Sequence, residues 1–211
     1  MFELAADEVL HIKTGEGNLP SLSVLSVEKT PYIPPNTMAS DVVVTSQHAL
    51  YALADFCQPG ARVWCVGEGT ASKASKDFEV YYPQEANVVQ LGALIRQSGI
   101  ANLTYLRAEE VSEDLTVLLP EVTITQVVVY RAVPRVSLSS AEIKMLKEYD
   151  QYAIYSKKNA RALLALLDAY GVDISEKIAA CASESIAAFL REQEARTQNR
   201  WQEVKVIHLG R

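Results

Sequence analysis

Cysteine is scarce in this chain of 211 residues: Cys57, Cys65 and Cys181 are the whole complement, and none forms C-x-x-C. Two lie in apolar runs, so the expectation is buried free thiols in a reducing, cytoplasmic compartment. Histidine is equally sparse. His11, His48 and His208 have no metal-ligand spacing to one another or to a cysteine, which argues against a metal site. Positive charge is in deficit, 20 Lys and Arg against 26 Asp and Glu for a net −6, so no basic footprint points to nucleic acid. Long apolar spans and a basic-then-apolar leader are missing, which predicts a chain that neither crosses a membrane nor is exported. No G-K-[ST] Walker ending, G-x-G-x-x-G fingerprint or G-x-S-x-G elbow occurs, so neither a nucleotide nor a serine hydrolase is indicated.

What is present is a globular composition, 49% apolar and 22% charged, with strands and helices in alternation. Residues 2–12 have a loosely helical spacing, 14–20 (T-G-E-G-N-L-P) are turn chemistry, and 22–27 alternate as one strand. Pro34-Pro35 marks a connector over 32–36. Strands are then expected at 41–45, 62–66, 78–82, 103–106 and 122–130, with helices over 49–56, 70–76, 88–97 and 111–119. Beyond Pro134 the same rhythm predicts helices over 140–149, 159–170 and 183–193 and strands at 152–155, 177–182 and 203–208. Such alternation implies an α/β protein with parallel, doubly wound sheets. Residues 127–134, V-V-V-Y-R-A-V-P, read as the last strand of one lobe running into a crossing to another, with Tyr130 at its mouth.

A repeat supports two lobes. D-V-V-V-T-S-x-x-A-L-Y-A-L-A-D-F recurs as D-Q-Y-A-I-Y-S-x-x-N-A-R-A-L-L-A-L-L-D, which aligns Ser46 with Ser156, and the next units align Glu68 with Glu184. In open α/β sheets ligands bind beyond the carboxyl ends of the strands. That rule selects Thr45 and Ser46, residues 67–71 (Gly67, Glu68, Gly69, Thr70, Ala71), Arg107, Tyr130, Ser156, and Ser183 with Ser185. The two glycines let backbone N–H groups approach a ligand, and Thr70 is expected to open a helix whose positive end favours an anion. The plainer alternative is a tight strand-to-helix turn. Ser46 and Ser156 have the ordinary alternative of helix N-caps. The Tyr130 phenol can donate a hydrogen bond or a proton, and Arg107, Arg131 and Arg135 are candidate carboxylate forks against surface solvation.

The motifs at 42–50 (V-V-V-T-S-Q-H-A-L), 66–71 (V-G-E-G-T-A), 103–108 (L-T-Y-L-R-A), 127–134 and 152–156 (Y-A-I-Y-S), in this order and spacing, together resemble the uroporphyrinogen-III synthase family. The resemblance implies two flavodoxin-like lobes with a cleft between them: 1–33 with 134–211, and an inserted 36–130. Connectors near 31–36 and 130–135 would form a two-stranded bridge. It implies a monomeric, cofactor-free hydro-lyase of tetrapyrrole and heme biosynthesis whose partner is a small molecule, the linear tetrapyrrole hydroxymethylbilane. Its hydroxymethyl group departs to leave an azafulvene, and the substituted carbon of the last ring attacks to form a spiro intermediate. That intermediate fragments and recloses with the ring inverted, giving uroporphyrinogen III and water. By the same resemblance Tyr130 assists departure of the hydroxyl. Thr70 and Ser156 correspond to cleft residues of the two lobes, and amides around 67–71 and 183–185 hold the substrate's carboxylates.

The sequence also departs from the family. No strand ending in T-R-P precedes Ser21, which predicts a missing or remodelled early strand. Ala182-Ser183-Glu184-Ser185-Ile186 replaces a loop in which Gly or Pro and Thr are usual, and Ala108 stands where Gly is common. These departures leave open a second class, a divergent homologue that binds a tetrapyrrole or another polycarboxylate without converting it. A flavodoxin-like nucleotide or flavin enzyme lacks the expected glycine pattern.

Overall fold

The structure, a computed structural model, describes residues 9–13, 19–74, 76–111, 113–196 and 200–207. Its strands are β1 (Leu10–Lys13), β2 (Ser21–Ser23), β3 (Leu25–Lys29), β4 (Asp41–Val44), β5 (Arg62–Cys65), β6 (Glu79–Tyr81), β7 (Asn102–Ala108), β8 (Thr123–Pro134), β9 (Gln151–Ile154), β10 (Ile178–Cys181) and β11 (Glu203–Val206). Its helices are α1 (Leu53–Phe56), preceded by a 3-10 turn (Gln47–Ala52), α2 (Glu68–Ala71), α3 (Val88–Gln97), α4 (Leu115–Leu118), α5 (Ser140–Glu148), α6 (Lys157–Ala169) and α7 (Glu184–Arg196). The chain divides into two compact units, Val27–Ala132 and Met1–Ser26 with Val133–Arg211.

The unit built from both ends of the chain holds a sheet of order β11-β10-β9-β1-β2. All its neighbouring strands are parallel, with His11 opposite Ala153 and Ile12 opposite Ile154. Order reverses between β1 and β9, because β2 lies on one side and the later strands on the other. Helix α6 buries Ala160, Leu163, Leu166 and Leu167, spaced to form one apolar stripe. Leu10–Lys13 is a strand where the spacing predicts helix, while 2–8 and the 14–18 part of the predicted turn lie outside the described residues. An early strand is therefore present, which excludes the missing-strand alternative, and it lies inside the sheet. Seven residues, 14–20, separate it from its parallel neighbour β2, whereas such connections ordinarily need a dozen or more. Spacing along the chain offers no reason to look for a pair there.

The Val27–Ala132 unit carries a sheet of order β3-β8-β7-β4-β5-β6, parallel in each pair from β8 to β6. The β-branched run of β4 faces both ways. Val42 and Val44 pack with Ala49, Leu53 and Phe56, and Val43 packs with Trp64, Leu91 and Ile95. Burial on both faces explains its lack of polar alternation. The expected single strand at 22–27 is broken at Val24 into β2 and β3, which belong to different sheets. There the Ser23 hydroxyl donates to the Leu25 carbonyl and the Arg135 N–H donates to the Val24 carbonyl, interrupting one ladder before the next.

Three helices are shorter than their patterns. Residues 49–56 fold as a 3-10 turn followed by one α-turn, and the described residues of 70–76 contribute only the end of α2, which begins at Glu68. Among the described residues of 111–119 only α4 is helical, because Asp114 caps it by accepting from the Thr116 N–H. Conversely, β8 runs on through Pro134, with the Thr30 N–H bonded to the Val129 carbonyl along it. β3 and β8 carry the chain across the two boundaries between units.

Candidate active site

In the Val27–Ala132 unit, strand register brings several of the selected residues to one edge. Val44 pairs with Cys65 and with Leu106, while Ala108 pairs with Tyr130 after a bulge at Arg107. Ser46 and Gly67 each follow two residues beyond the paired Val44 and Cys65. Tyr130 therefore lies level with the carboxyl ends of its neighbours even though β8 itself continues, which corrects the expectation that it ends its strand.

Tyr130 is buried, 9% exposed, among Val42, Val44 and Ala49. Burial pushes its phenol above the ordinary value, and a hydrogen bond with the Ser46 side chain opposes that shift. The His48 ring lies 5.7 Å from the Tyr130 ring, tilted by 52°. Ser46 is an N-cap, as its ordinary alternative held, with its hydroxyl accepting from the His48 N–H at 3.3 Å. Burial, and secondarily the positive charge of Lys73, push His48 below the usual histidine value. Lys73 itself donates to the Gln47 side chain. Thr45 exchanges a 2.9 Å hydrogen bond with the buried Tyr105 phenol. His48, Lys73 and Tyr105 were not selected from the sequence. For His48 a usable signal existed, since it stands two residues after a strand-end cap.

The glycine turn is formed differently from expectation. Helix α2 starts at Glu68, so Thr70 lies inside it and is buried. The Thr70 and Ala71 N–H groups both donate to the Gly67 carbonyl at 3.1 Å, so these two amides are engaged within the turn. Glu68 and Gly69 are exposed. A Cβ on Gly67 would lie 2.6 Å from the Ala86 Cβ, so close approach, not φ, is what requires glycine there.

The three arginine forks are already occupied. Arg107 lies within β7 and donates to the Ala108 and Glu109 carbonyls and the Gln126 side chain, bracing the bulge. Arg131 pairs with Glu28 at 2.9 Å, and Arg135 makes a two-pronged pair with Glu142 while donating to the Ser23 carbonyl. Sequence alone offers no way to see partners 103 and 112 positions away.

In the other unit, Ser156 caps α6 by accepting from the Asn159 N–H at 3.0 Å, and the buried Asn159 amide donates to the Ile12 carbonyl of β1. Beside it, His11 Nδ1 and the Tyr155 hydroxyl are hydrogen-bonded at 2.5 Å with their rings stacked, where strand order reverses. Ser183 and Ser185 approach each other at 3.3 Å at the start of α7, with Ser183's carbonyl accepting from the Ile186 and Ala187 N–H groups. Ile186 points into the core at 4% exposure, which gives this loop's non-donating residue a packing reason. Among the described residues, no group of three His, Cys, Asp or Glu is placed to hold a metal ion. No helix there is long and apolar enough to cross a membrane.

Comparison with known proteins gives this geometry a context. The fold is similar to uroporphyrinogen-III synthetase from Helicobacter pylori, with a TM-score of 0.62 at 19% identity, covering 89% of each chain. A mutant uroporphyrinogen III synthase from the extremely thermophilic bacterium Thermus thermophilus aligns at a TM-score of 0.44 and 14% identity, over 90% of this chain and 83% of that one. No curated protein sequence matches significantly. The family model described as Uroporphyrinogen-III synthase HemD matches residues 37–199, well over half of the sequence. On that match the chain belongs to the uroporphyrinogen-III synthase family.

Proposed function

We propose that this protein converts hydroxymethylbilane to uroporphyrinogen III with inversion of the last pyrrole ring and loss of water. The reading takes the two compact units as two flavodoxin-like lobes, with β3 and β8 as the connector. Family membership suggests the reaction, and the observation that carries it to a residue is the buried phenol of Tyr130 at the sheet's carboxyl edge. A phenol is protonated at neutral pH, so Tyr130 can donate a hydrogen bond or a proton to the hydroxymethyl oxygen as the C–O bond breaks. The bilane cyclises without inversion when free in water. The protein's task is then chiefly to position it, favouring attack by the crowded carbon over the accessible one.

Substrate carboxylates are assigned to the carboxyl-edge residues of each unit. In one these are Thr45, Ser46 and the Gly67, Glu68 and Gly69 end of the turn, with Thr70 and Ala71 beneath. In the other they are Ser156, Ser183 and Ser185. Arg107 is dropped from the list of direct contacts because its guanidinium braces the bulge. No cofactor and no metal enter this scheme, and the substrate is the only partner it requires.

Hydroxymethylbilane generated in situ, with type I and type III products resolved by chromatography, tests the reading. Type III product is expected from the wild-type chain, and type I product alone from folded protein would refute it. Tyr130→Phe is expected to keep the fold and to lower the type III rate about 10²-fold or more. A fully active variant would remove the phenol from the mechanism.

A further inference from the structure

We propose that His48 is the proton acceptor that partners Tyr130, taking up the proton released when the macrocycle closes. This rests on the cyclisation proposed above. The proton balance of that reaction asks for such a group. One proton leaves the Tyr130 phenol as the C–O bond of the hydroxymethyl group breaks and water departs. Carbon–carbon bond formation then consumes the azafulvene, and the closed ring regains aromaticity only when a ring C–H bond gives its proton away. The bond electrons stay with the ring and nothing is oxidised or reduced. One proton enters, one leaves, and transfer from the His48 imidazolium to the Tyr130 phenolate restores both groups.

Three observations place His48 in this role. Its ring stands against the Tyr130 ring at 5.7 Å, close enough for the two to serve one substrate. Its backbone is fixed by the Ser46 cap, and the same serine's side chain acts on the Tyr130 phenol, so one residue adjoins both members of the pair. It is half-buried, not enclosed, at the carboxyl edge where a ligand meets this class of sheet. Among the described residues, the titratable neighbours facing it are Tyr130 of β8 and Lys73 in the turn after α2. Burial and the Lys73 charge both keep the imidazole neutral, which is the form able to accept a proton.

The test is the pH dependence of type III formation by the intact protein and two variants. In the wild type the rate is expected to fall on the acid side with an apparent pKa below the ordinary 6.5. His48→Gln should lower the plateau about tenfold or more and abolish that limb. Lys73→Gln, at an exposed position, should hold the plateau within about twofold and move the acid limb to higher pH, because a charge that disfavours imidazolium has gone. A packing role for His48 would not make its acid limb respond to Lys73. If His48→Gln fails to fold by circular dichroism, Lys73→Gln decides alone. A plateau unchanged in His48→Gln, or a limb that stays in place in Lys73→Gln, overturns the inference while type III product still supports the cyclisation. A wild-type chain that makes only type I isomer overturns both.

Discussion

Gly67 shows how one missing carbon shapes the candidate site. Its backbone is extended, at φ −176, which any residue adopts, yet an added methyl would lie 2.6 Å from the Ala86 Cβ. At Gly69, two residues on, an added methyl would meet nothing within 4 Å. Gly67→Ala is therefore expected to destabilise the fold by roughly 1–3 kcal/mol through overpacking, and Gly69→Ala to change stability by less than about 0.5 kcal/mol. Urea midpoints of the two variants check this, and equal midpoints would show that the turn yields freely. The motif's presence was legible in the sequence, but which of its glycines is constrained was not. That depends on Ala86, from a different part of the chain. Arg107, Arg131 and Arg135 follow the same logic, since a guanidinium's availability is decided by its partners.

Among the elements, α5 begins with a capping box that S-L-S-S-A-E-I already suggests. The Ser139 hydroxyl accepts from the Glu142 N–H, and Glu142 accepts from the Ser139 N–H. The structure adds Arg135, whose fork grips the same carboxylate and the Ser23 carbonyl of β2. The Arg135 guanidinium, with help from Ser139, holds the Glu142 carboxyl at about 2, against an ordinary 4.5, despite an opposing effect of burial. A folded-state value below the unfolded one gives stability that is complete above pH 4.5 and is lost as pH falls through about 2. Glu142→Gln is accordingly expected to cost roughly 1–2 kcal/mol at pH 7, allowing for solvent screening of a partly exposed pair. That gap should narrow toward pH 2, as read from urea midpoints at several pH values. A gap independent of pH would assign the loss to packing. Helix α3 spans the residues its pattern predicts, whereas α4 is a single turn because the Asp114 cap starts it late.

For the whole molecule, the order of strands along the chain has a direct consequence. The Val27–Ala132 unit is continuous in sequence, and its strands β3 and β8 overrun its bounds by two residues each. The other is not. Its interior strand β1 comes from the amino-terminal segment and sits between β2 and β9. A fragment of residues 27–132 is expected to fold alone, with a cooperative urea transition. A fragment of residues 133–211 is expected to remain unfolded until residues 1–26 are supplied, since β9 would otherwise present an unpaired edge. Cooperative unfolding of 133–211 on its own would contradict this.

The sequence by itself determined the class of fold and most of its strands. Buried β-branched runs, caps and each strand–Ser–helix unit are local signals, carried by residues within a few positions of one another. It also supplied the family resemblance and Tyr130. Tertiary structure alone decided that Leu10–Lys13 is a strand inside its sheet, that residues 22–27 divide between two sheets, and that His48 faces Tyr130. Each is a pairing between segments far apart in the chain, and a hydrogen-bond ladder or a ring contact leaves no trace in the spacing of either partner.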